Sequence, residues 1–210
     1  MPCRVFLPIL VAIGLASVVG PASVVRPASA CVVALPNSVI EPILIGGSSG
    51  ALLAGLGNPG YEIVIRDAFN QGCSNVQIDL DFAGAPPIKL YAAQNAGTTV
   101  NCAARLLSKL TDVNGRAVFG PRFGGFVNTA SVSVRADGVA IGQVRARSTD
   151  IDALGATTGL SDLNLFRVQF FAVQPAAQET DFTGDGLTNL SDLNIFRSEF
   201  SSLVVGAYCP

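Results

Sequence analysis

The sequence predicts a mainly β fold, in which an antiparallel β-sandwich is followed by a small helical segment near the C-terminal end. Half of the 210 residues are hydrophobic, only 13% are charged, and the chain holds 22 glycines and 12 prolines. This composition is too apolar for a disordered chain and too rich in turn formers for a helical bundle. Short stretches in which apolar and polar residues alternate, separated by turn residues, indicate paired strands.

The first thirty residues predict a secretory signal peptide, 1–30, that is not part of the fold. Arg4 gives a positive start, residues 5–19 form an apolar run, and Ala28-Ser29-Ala30 provides a small-residue cleavage site before Cys31. The run is shorter than the ~20 apolar residues of a spanning helix, and no second run of that length occurs, so no transmembrane segment is expected in the mature chain. We expect a secreted protein; the alternative is a cell-surface lipoprotein anchored at Cys31.

Export makes disulfides the expected state of the cysteines that remain after residues 1–30 are removed. These are Cys31, Cys73, Cys102 and Cys209. Four cysteines allow three pairings. We favour Cys73–Cys102, because both are internal, with Cys31–Cys209 joining the two ends.

Residues 31–147 predict the β-sandwich. The stretch from Val76 to Phe82 alternates, which places its apolar residues inward and the carboxylates of Asp79 and Asp81 outward in solvent. In the last strand, Arg145 and Arg147 are likewise expected on the outward face. The strand candidates are Tyr61–Arg66, Val76–Phe82, Arg105–Leu110, Ala117–Phe119, Ser131–Ala136 and Ala140–Arg147, with turns between them at sites such as Asp112–Gly115 and Asp137-Gly138.

Two stretches of this region resemble bacterial immunoglobulin-like domains. Ile65-Arg66-Asp67 precedes a loop, and Thr111-Asp112-Val113-Asn114-Gly115-Arg116-Ala117 precedes a strand. In that family, a turn with the pattern of the second stretch, Thr111 to Ala117, leads into a late strand of the sandwich. The resemblance implies an immunoglobulin-like antiparallel β-sandwich, and a fold of this kind does not specify an activity.

Acidic residues are concentrated in the last part of the chain. Residues 150–210 hold eight Asp or Glu but only two basic residues, Arg167 and Arg197, whereas residues 31–149 hold nine basic and seven acidic residues. Crowded carboxylates repel one another unless a positive group lies among them. The sequence therefore indicates a cation site in the acidic part.

The stretch from Asp181 to Asp192 has the residue pattern of a calcium loop. Oxygen-bearing side chains stand at loop positions 1, 3, 5, 9 and 12, and position 6 is Gly186, where the chain must turn sharply. Ca²⁺ takes six to eight oxygen ligands. The predicted ligands are Asp181, Thr183, Asp185, the backbone carbonyl of Leu187, Asn189 and Asp192. Leu193, Phe196 and Phe200 then recur at helical spacing, which predicts a helix leaving the loop with an apolar stripe against a core.

The residues that end the loop and begin the predicted helix occur twice in the chain. Ser161–Arg167 matches Ser191–Arg197 in six of seven residues at an offset of 30, which indicates an internal duplication. In the first copy, counting back from Asp162 puts Ile151 at loop position 1, whereas one inserted residue puts Asp150 there. Both alignments lack a carboxylate at the central position 5. Asp150, Asp152 and Asp162 are the candidate ligands of this degenerate loop.

A duplicated loop that ends in Asp and leads into a single helix resembles the type I dockerin module, here residues 148–202 with a tail at 203–210. The resemblance implies Ca²⁺ as the cofactor and a cohesin-type protein as the partner. It also implies attachment of proteins in extracellular polysaccharide breakdown.

Composition argues against several other functions. The chain has no histidine, which excludes Ser-His-Asp and Cys-His catalysis, and its net charge of −2 does not favour nucleic acid. We therefore expect a non-catalytic protein without a small-molecule substrate. The alternative to cohesin-type attachment is a cell-surface or matrix structural or adhesion protein, in which the calcium module only rigidifies the fold.

Overall fold

The computed structural model describes residues 31–34, 39–42, 52–54, 61–155, 157–171, 179–200 and 207–210. The predicted signal peptide lies outside these residues. Cys31–Pro210 form one compact unit.

The described chain is mainly β, with eleven strands and two helices in the ranges given above. The strands are β1 (Val39–Pro42), β2 (Leu52–Ala54), β3 (Tyr61–Val64), β4 (Gln77–Asp81), β5 (Lys89–Leu90), β6 (Thr99–Asn101), β7 (Leu106–Leu110), β8 (Arg116–Phe119), β9 (Phe123–Gly124), β10 (Phe126–Ala136) and β11 (Val139–Arg147). The helices are α1 (Leu160–Phe170) and α2 (Leu190–Phe200).

The strands form three sheets. Their orders are β1-β3-β8, β2-β11-β10-β4-β7-β6 and β5-β9. All neighbouring strands run antiparallel except β2 and β11, which are parallel. The sequence prediction of a mainly β, antiparallel fold is confirmed to this extent, and each of the six strand candidates coincides with an observed strand.

Turn residues fix the longest hairpin, between β10 and β11. Asp137 and Gly138 both have positive φ, 46° and 81°, which is the backbone of the two-residue turn that matches strand twist. The predicted turn at this site is therefore confirmed. The hairpin pairs Ala136 with Val139 and extends to Phe126 opposite Arg147, next to the acidic segment.

One apolar core is shared by the three-stranded and six-stranded sheets. Ile63 of β3, Leu80 of β4, Phe119 of β8 and Val134 of β10 are all fully buried in it. Burying side chains of this size contributes about 1.5–3 kcal/mol each.

The outward face of β4 differs from the expectation. Asp79 and Asp81 are each only 8% exposed, so the prediction that they are solvated is wrong. Ser108 and Gln77 donate hydrogen bonds to Asp79, and Arg135 pairs with Asp81 at 2.7 Å. Since neighbouring strands supply partners for both carboxylates, these residues are structural.

The two helices pack through the predicted apolar stripe. Phe166 of α1 and Phe196 of α2 are stacked, with ring centroids 5.0 Å apart, and Phe182 and Ile151 complete the buried cluster. Each helix thus buries the same repeat position against the other, as the duplication predicts.

The disulfide pairing differs from the one we favoured. The structure joins Cys31 to Cys73 and Cys102 to Cys209, so Cys73–Cys102 and Cys31–Cys209 are not formed. The physical reason is that β pairing brings together residues far apart in sequence. Cys209 donates its backbone N–H to the carbonyl of Leu90, which holds the C-terminal end against β5.

Candidate metal centre

The second loop brings three of its predicted ligand residues together. One carboxylate oxygen from each of Asp181, Asp185 and Asp192 lies within 4.8 Å of the others. Asp181 and Asp192 are buried, whereas Asp185 is exposed. The arrangement leaves the cluster open to solvent on one side and anchored in protein on the other.

The loop wraps around the carboxylate of Asp181. Its oxygens accept hydrogen bonds from the backbone N–H groups of Gly184 (2.6 Å), Asp185 (3.1 Å) and Gly186 (2.9 Å). Gly184 and Gly186 have φ values of 73° and 89°, a backbone region that side chains disfavour. Glycine at these positions lets consecutive N–H groups converge on one carboxylate.

The remaining predicted ligands lie around the same cluster. The Thr183 hydroxyl donates to Asp181 at 3.3 Å, and the Asn189 side-chain amide donates to Asp185 at 2.9 Å. The backbone N–H of Leu187 also donates to Asp185, at 2.8 Å. These contacts place Thr183, Leu187 and Asn189 beside the carboxylates, with Leu187 and Asn189 in contact through N–H groups and not through their predicted ligand oxygens.

Asn189 and Asp192 also cap helix α2. The side-chain oxygen of Asn189 accepts from the N–H of Ser191 at 2.7 Å, which satisfies one of the unpaired donors at a helix start. Asp192 accepts from the N–H groups of Thr183 and Asn189, both at 2.8 Å. Burial raises the pKa of Asp192, the charge of Asp181 adds to this, and the two N–H donors oppose it.

Arg147 is a member of this site that the sequence analysis placed wrongly. We expected it on the outward face of β11, but it is 1% exposed. Its Nη1 lies 3.1 Å from Asp181 Oδ2 and also donates to the backbone carbonyl of Asp181. Burial lowers the pKa of Arg147, and the carboxylate of Asp181 counteracts this. The guanidinium therefore offsets one of the three negative charges of the second loop.

The first loop gathers its candidate ligands in the same way. One carboxylate oxygen each from Asp150, Asp152 and Asp162 lies within 4.8 Å of the others. Ile151 is buried in the cluster between the helices, as is Phe182, which follows Asp181. Of the two alignments, the structure therefore supports the one with an inserted residue, in which Asp150 occupies position 1.

Two tyrosines that the sequence analysis did not select contact the first loop. Tyr91 donates to Asp150 Oδ2 at 2.9 Å, and Tyr208 donates to the same oxygen. Asp150 is fully buried, and burial raises its pKa to about 6 despite these two donors. No signal within the loop indicates the tyrosines, because they are 59 and 58 residues away from Asp150.

Comparisons with models of protein families, with curated proteins and with solved structures found no match to this chain. The described residues contain no helix of the length and apolarity that crossing a bilayer requires.

Proposed function

We propose that this chain is an exported, non-catalytic protein that binds Ca²⁺ in the loop from Asp181 to Asp192. The observation that carries the proposal is the convergence of Asp181, Asp185 and Asp192 within 4.8 Å. Carboxylates held so close repel one another unless positive charge is present, and Arg147 supplies one such charge against three carboxylates. Carboxylate, hydroxyl, amide and carbonyl oxygens are the ligands that Ca²⁺ prefers.

The donor set fits this ion. The residues that would hold it are Asp181, Thr183, Asp185, Leu187, Asn189 and Asp192. The ion would supply the charge that the loop lacks. Because Asn189 and Asp192 also cap α2, binding at the loop would fix the first turn of the helix, so that binding free energy becomes ordering free energy.

We propose attachment to a cohesin-type protein, in extracellular polysaccharide breakdown, as the role of this module. The dockerin resemblance supports it, and so does a pair of exposed leucines at equivalent positions of the two repeats. Leu160 and Leu190 stand first in α1 and α2 and are 72% and 68% exposed. Leucines exposed at the same position of both repeats are available for contact with a protein partner.

A second role, rigidification of a cell-surface or matrix protein, is favoured by a different observation. Arg147 of β11 contacts Asp181, and Tyr91 contacts Asp150, so both loops are bonded to residues of the β region. A cation in such a loop would stiffen the junction between strands and helices without any partner.

Calorimetric titration with Ca²⁺ tests the binding step. We compare the wild type with Asp185→Asn, which removes an exposed carboxylate without disturbing a buried one, and use Asp67→Asn, on a loop of the β region, as the control. Loss of one binding event in Asp185→Asn alone supports the proposal. Calcium uptake that Asp185→Asn leaves unchanged contradicts it.

Capture on immobilised cohesin domains, with and without Ca²⁺, then separates the two roles. Attachment predicts calcium-dependent capture that Leu190→Asp abolishes and that Val113→Asp, at another exposed site, does not. If calcium raises the melting temperature but the cohesin domains capture no protein, the result supports rigidification instead.

A further inference from the structure

The last residues of the chain, 207–210, lie along the edge of β5, and we call this segment the C-terminal strap. Ala92, just after β5, donates its backbone N–H to the carbonyl of Ala207 at 2.8 Å. Cys209 donates its N–H to the carbonyl of Leu90 at 2.7 Å. The strap therefore supplies hydrogen-bond partners that an edge strand otherwise lacks.

The strap covers a buried tyrosine. Tyr208 of the strap forms an antiparallel bridge with Tyr91, and their rings meet edge to face with centroids 5.1 Å apart. Tyr91 is 0% exposed, and the two rings form a cluster of their own, separate from the main core. The ammonium of Lys89 adds a cation–π contact, 5.4 Å from the centroid of the Tyr208 ring. Because these contacts are local, the strap can leave without opening the core between the two large sheets.

A glycine of β9 leaves room for the strap. A Cβ atom at Gly124 would meet the Tyr208 hydroxyl and would lie 2.6 Å from Oδ2 of Asp150, the oxygen to which that hydroxyl donates. Asp150 is 0% exposed, as Tyr91 is. Departure of the strap would open this tyrosine socket, formed by Tyr91, Gly124 and Asp150, to water.

One covalent bond holds the strap in place. Cys209 is joined to Cys102, which directly follows β6. Both cysteines are half-buried, and their neighbours Asn101, Ala103 and Pro210 are exposed. A thiolate must reach a disulfide sulfur to exchange with it, so this position favours attack from solvent.

The other disulfide is less accessible. Cys31 is joined to Cys73, which is 2% exposed and belongs to the main core. Cys73 donates its N–H to the carbonyl of Ile65 at 2.9 Å, and its own carbonyl accepts from the Thr111 hydroxyl at 2.6 Å. One end of this disulfide is therefore closed to an attacking thiolate, and thiol exchange should reach the bond of the strap first.

We propose that the C-terminal strap is a redox-sensitive latch, which a dithiol reductant releases by opening Cys102–Cys209 while Cys31–Cys73 stays closed. A thiolate of the reductant attacks one sulfur of the bond, the S–S bond breaks, and a mixed disulfide forms. The second thiol of the reductant then displaces the protein sulfur. The products are two protein thiols, which take up the two protons of the dithiol, and the disulfide of the reductant. Two electrons thus pass from the reductant to the protein.

The reduced form would present a surface that the oxidised form hides. Without the disulfide, a short segment at a chain end is held by a few local contacts, and chain ends fray most readily. The edge of β5 and the tyrosine socket would then face water. The latch goes beyond the proposed function and does not depend on calcium binding at either loop.

Partial reduction of the folded protein tests the order in which the disulfides open. The protein is treated with a dithiol under native conditions, free thiols are alkylated, and the modified cysteines are mapped by mass spectrometry. We expect Cys102 and Cys209 to be alkylated at reductant concentrations about tenfold lower than those that open Cys31–Cys73. Equal sensitivity of the two disulfides, or earlier opening of Cys31–Cys73, would overturn the proposal.

Hydrogen exchange measures whether the strap leaves. Once Cys102–Cys209 is reduced, the amides of Ala92 and Cys209 should exchange about tenfold faster or more, because their hydrogen bonds join the strap to β5. The amide of Cys73, which is bonded within the main core, is the control and should keep its protection. Unchanged exchange at Ala92 and Cys209 would show that the strap stays in place without its disulfide, and the latch would be refuted.

Gly124→Ala tests the tyrosine socket without changing a cysteine. The added methyl group would meet the Tyr208 hydroxyl, so the strap should be displaced and its disulfide reduced about tenfold faster than in the wild type. Gly120→Ala is the matched control, because a Cβ atom there would meet only the side chain of Asn95. Equal reduction rates in the two variants would contradict the role of the socket. The reduction and exchange measurements use the wild-type chain, so they decide the proposal even where Gly124→Ala does not fold.

Discussion

Replacement of Arg147 by methionine gives the sharpest test of how the second loop balances its charge. Methionine retains the length and apolar stem of the side chain but removes the guanidinium from a site where Arg147 is 1% and Asp181 2% exposed. Removing one partner of a buried ion pair costs about 3–5 kcal/mol, because the other charge remains buried. At about 2–4 °C per kcal/mol for a chain of this size, the melting temperature without calcium should fall by roughly 10 °C.

The same substitution should strengthen calcium binding. Charges of +1 and +2 taken at about 6 Å repel by about 1.4 kcal/mol even at the dielectric constant of water. This corresponds to about tenfold in affinity. Arg147→Met should therefore be less stable than the wild type in chelator but show a larger calcium-induced rise in melting temperature.

Scanning calorimetry with and without Ca²⁺, together with titration calorimetry, measures both effects. Arg167→Met is the matched control, because Arg167 is exposed on α1. A destabilisation below about 1 kcal/mol in chelator would refute the claim that the guanidinium neutralises a buried carboxylate. Unchanged calcium affinity in Arg147→Met would show that the guanidinium of Arg147 does not oppose calcium binding.

Three further outcomes follow from the same contacts. Phe166→Ala should cost about 3–5 kcal/mol in denaturant unfolding, because its ring is stacked on three other phenylalanines, whereas Val168→Ala, exposed on the same helix, should cost less than about 0.5. Removing the Cys102–Cys209 disulfide, whose cysteines are 107 residues apart, should lower the melting temperature by the equivalent of about 2–5 kcal/mol. Without metal, burial raises the pKa of Asp150 in the folded state to about 6, above its ordinary 3.8. Above pH 6 the ionised, buried carboxylate therefore destabilises the folded state by about 3 kcal/mol, and stability should rise as the pH falls from 7 to 4. The substitution Asp150→Asn should flatten this rise.

Local patterns were sufficient to predict six of the eleven described strands and the two helices. Alternation over Val76–Phe82 and a turn at Asp137-Gly138 are properties of neighbouring residues, and β4 and the β10–β11 hairpin formed where they indicated. Five short strands, β1, β2, β5, β6 and β9, were missed, because their two to four residues give little or no room for alternation.

Contacts between distant parts of the chain were not predictable in this way. The disulfides follow from which strands lie side by side, and spacing alone leaves three pairings open. Arg147 shows the same limit: strand alternation places it outward, but the acidic segment covers that face of β11 and supplies Asp181 from 34 residues away.

Counting ligands in a loop therefore ranks metal sites incompletely, and the two loops of this chain show why. The second loop has the fuller pattern, yet Asp181 has an arginine and several N–H donors. The first loop lacks a central carboxylate, yet Asp150 retains a buried oxygen with no donor. Binding strength depends on the charge and solvation that a cation replaces as well as on the number of ligands. Arg147 and the tyrosine pair come from the β region and the C-terminal end, so the difference between the loops arises from the tertiary fold.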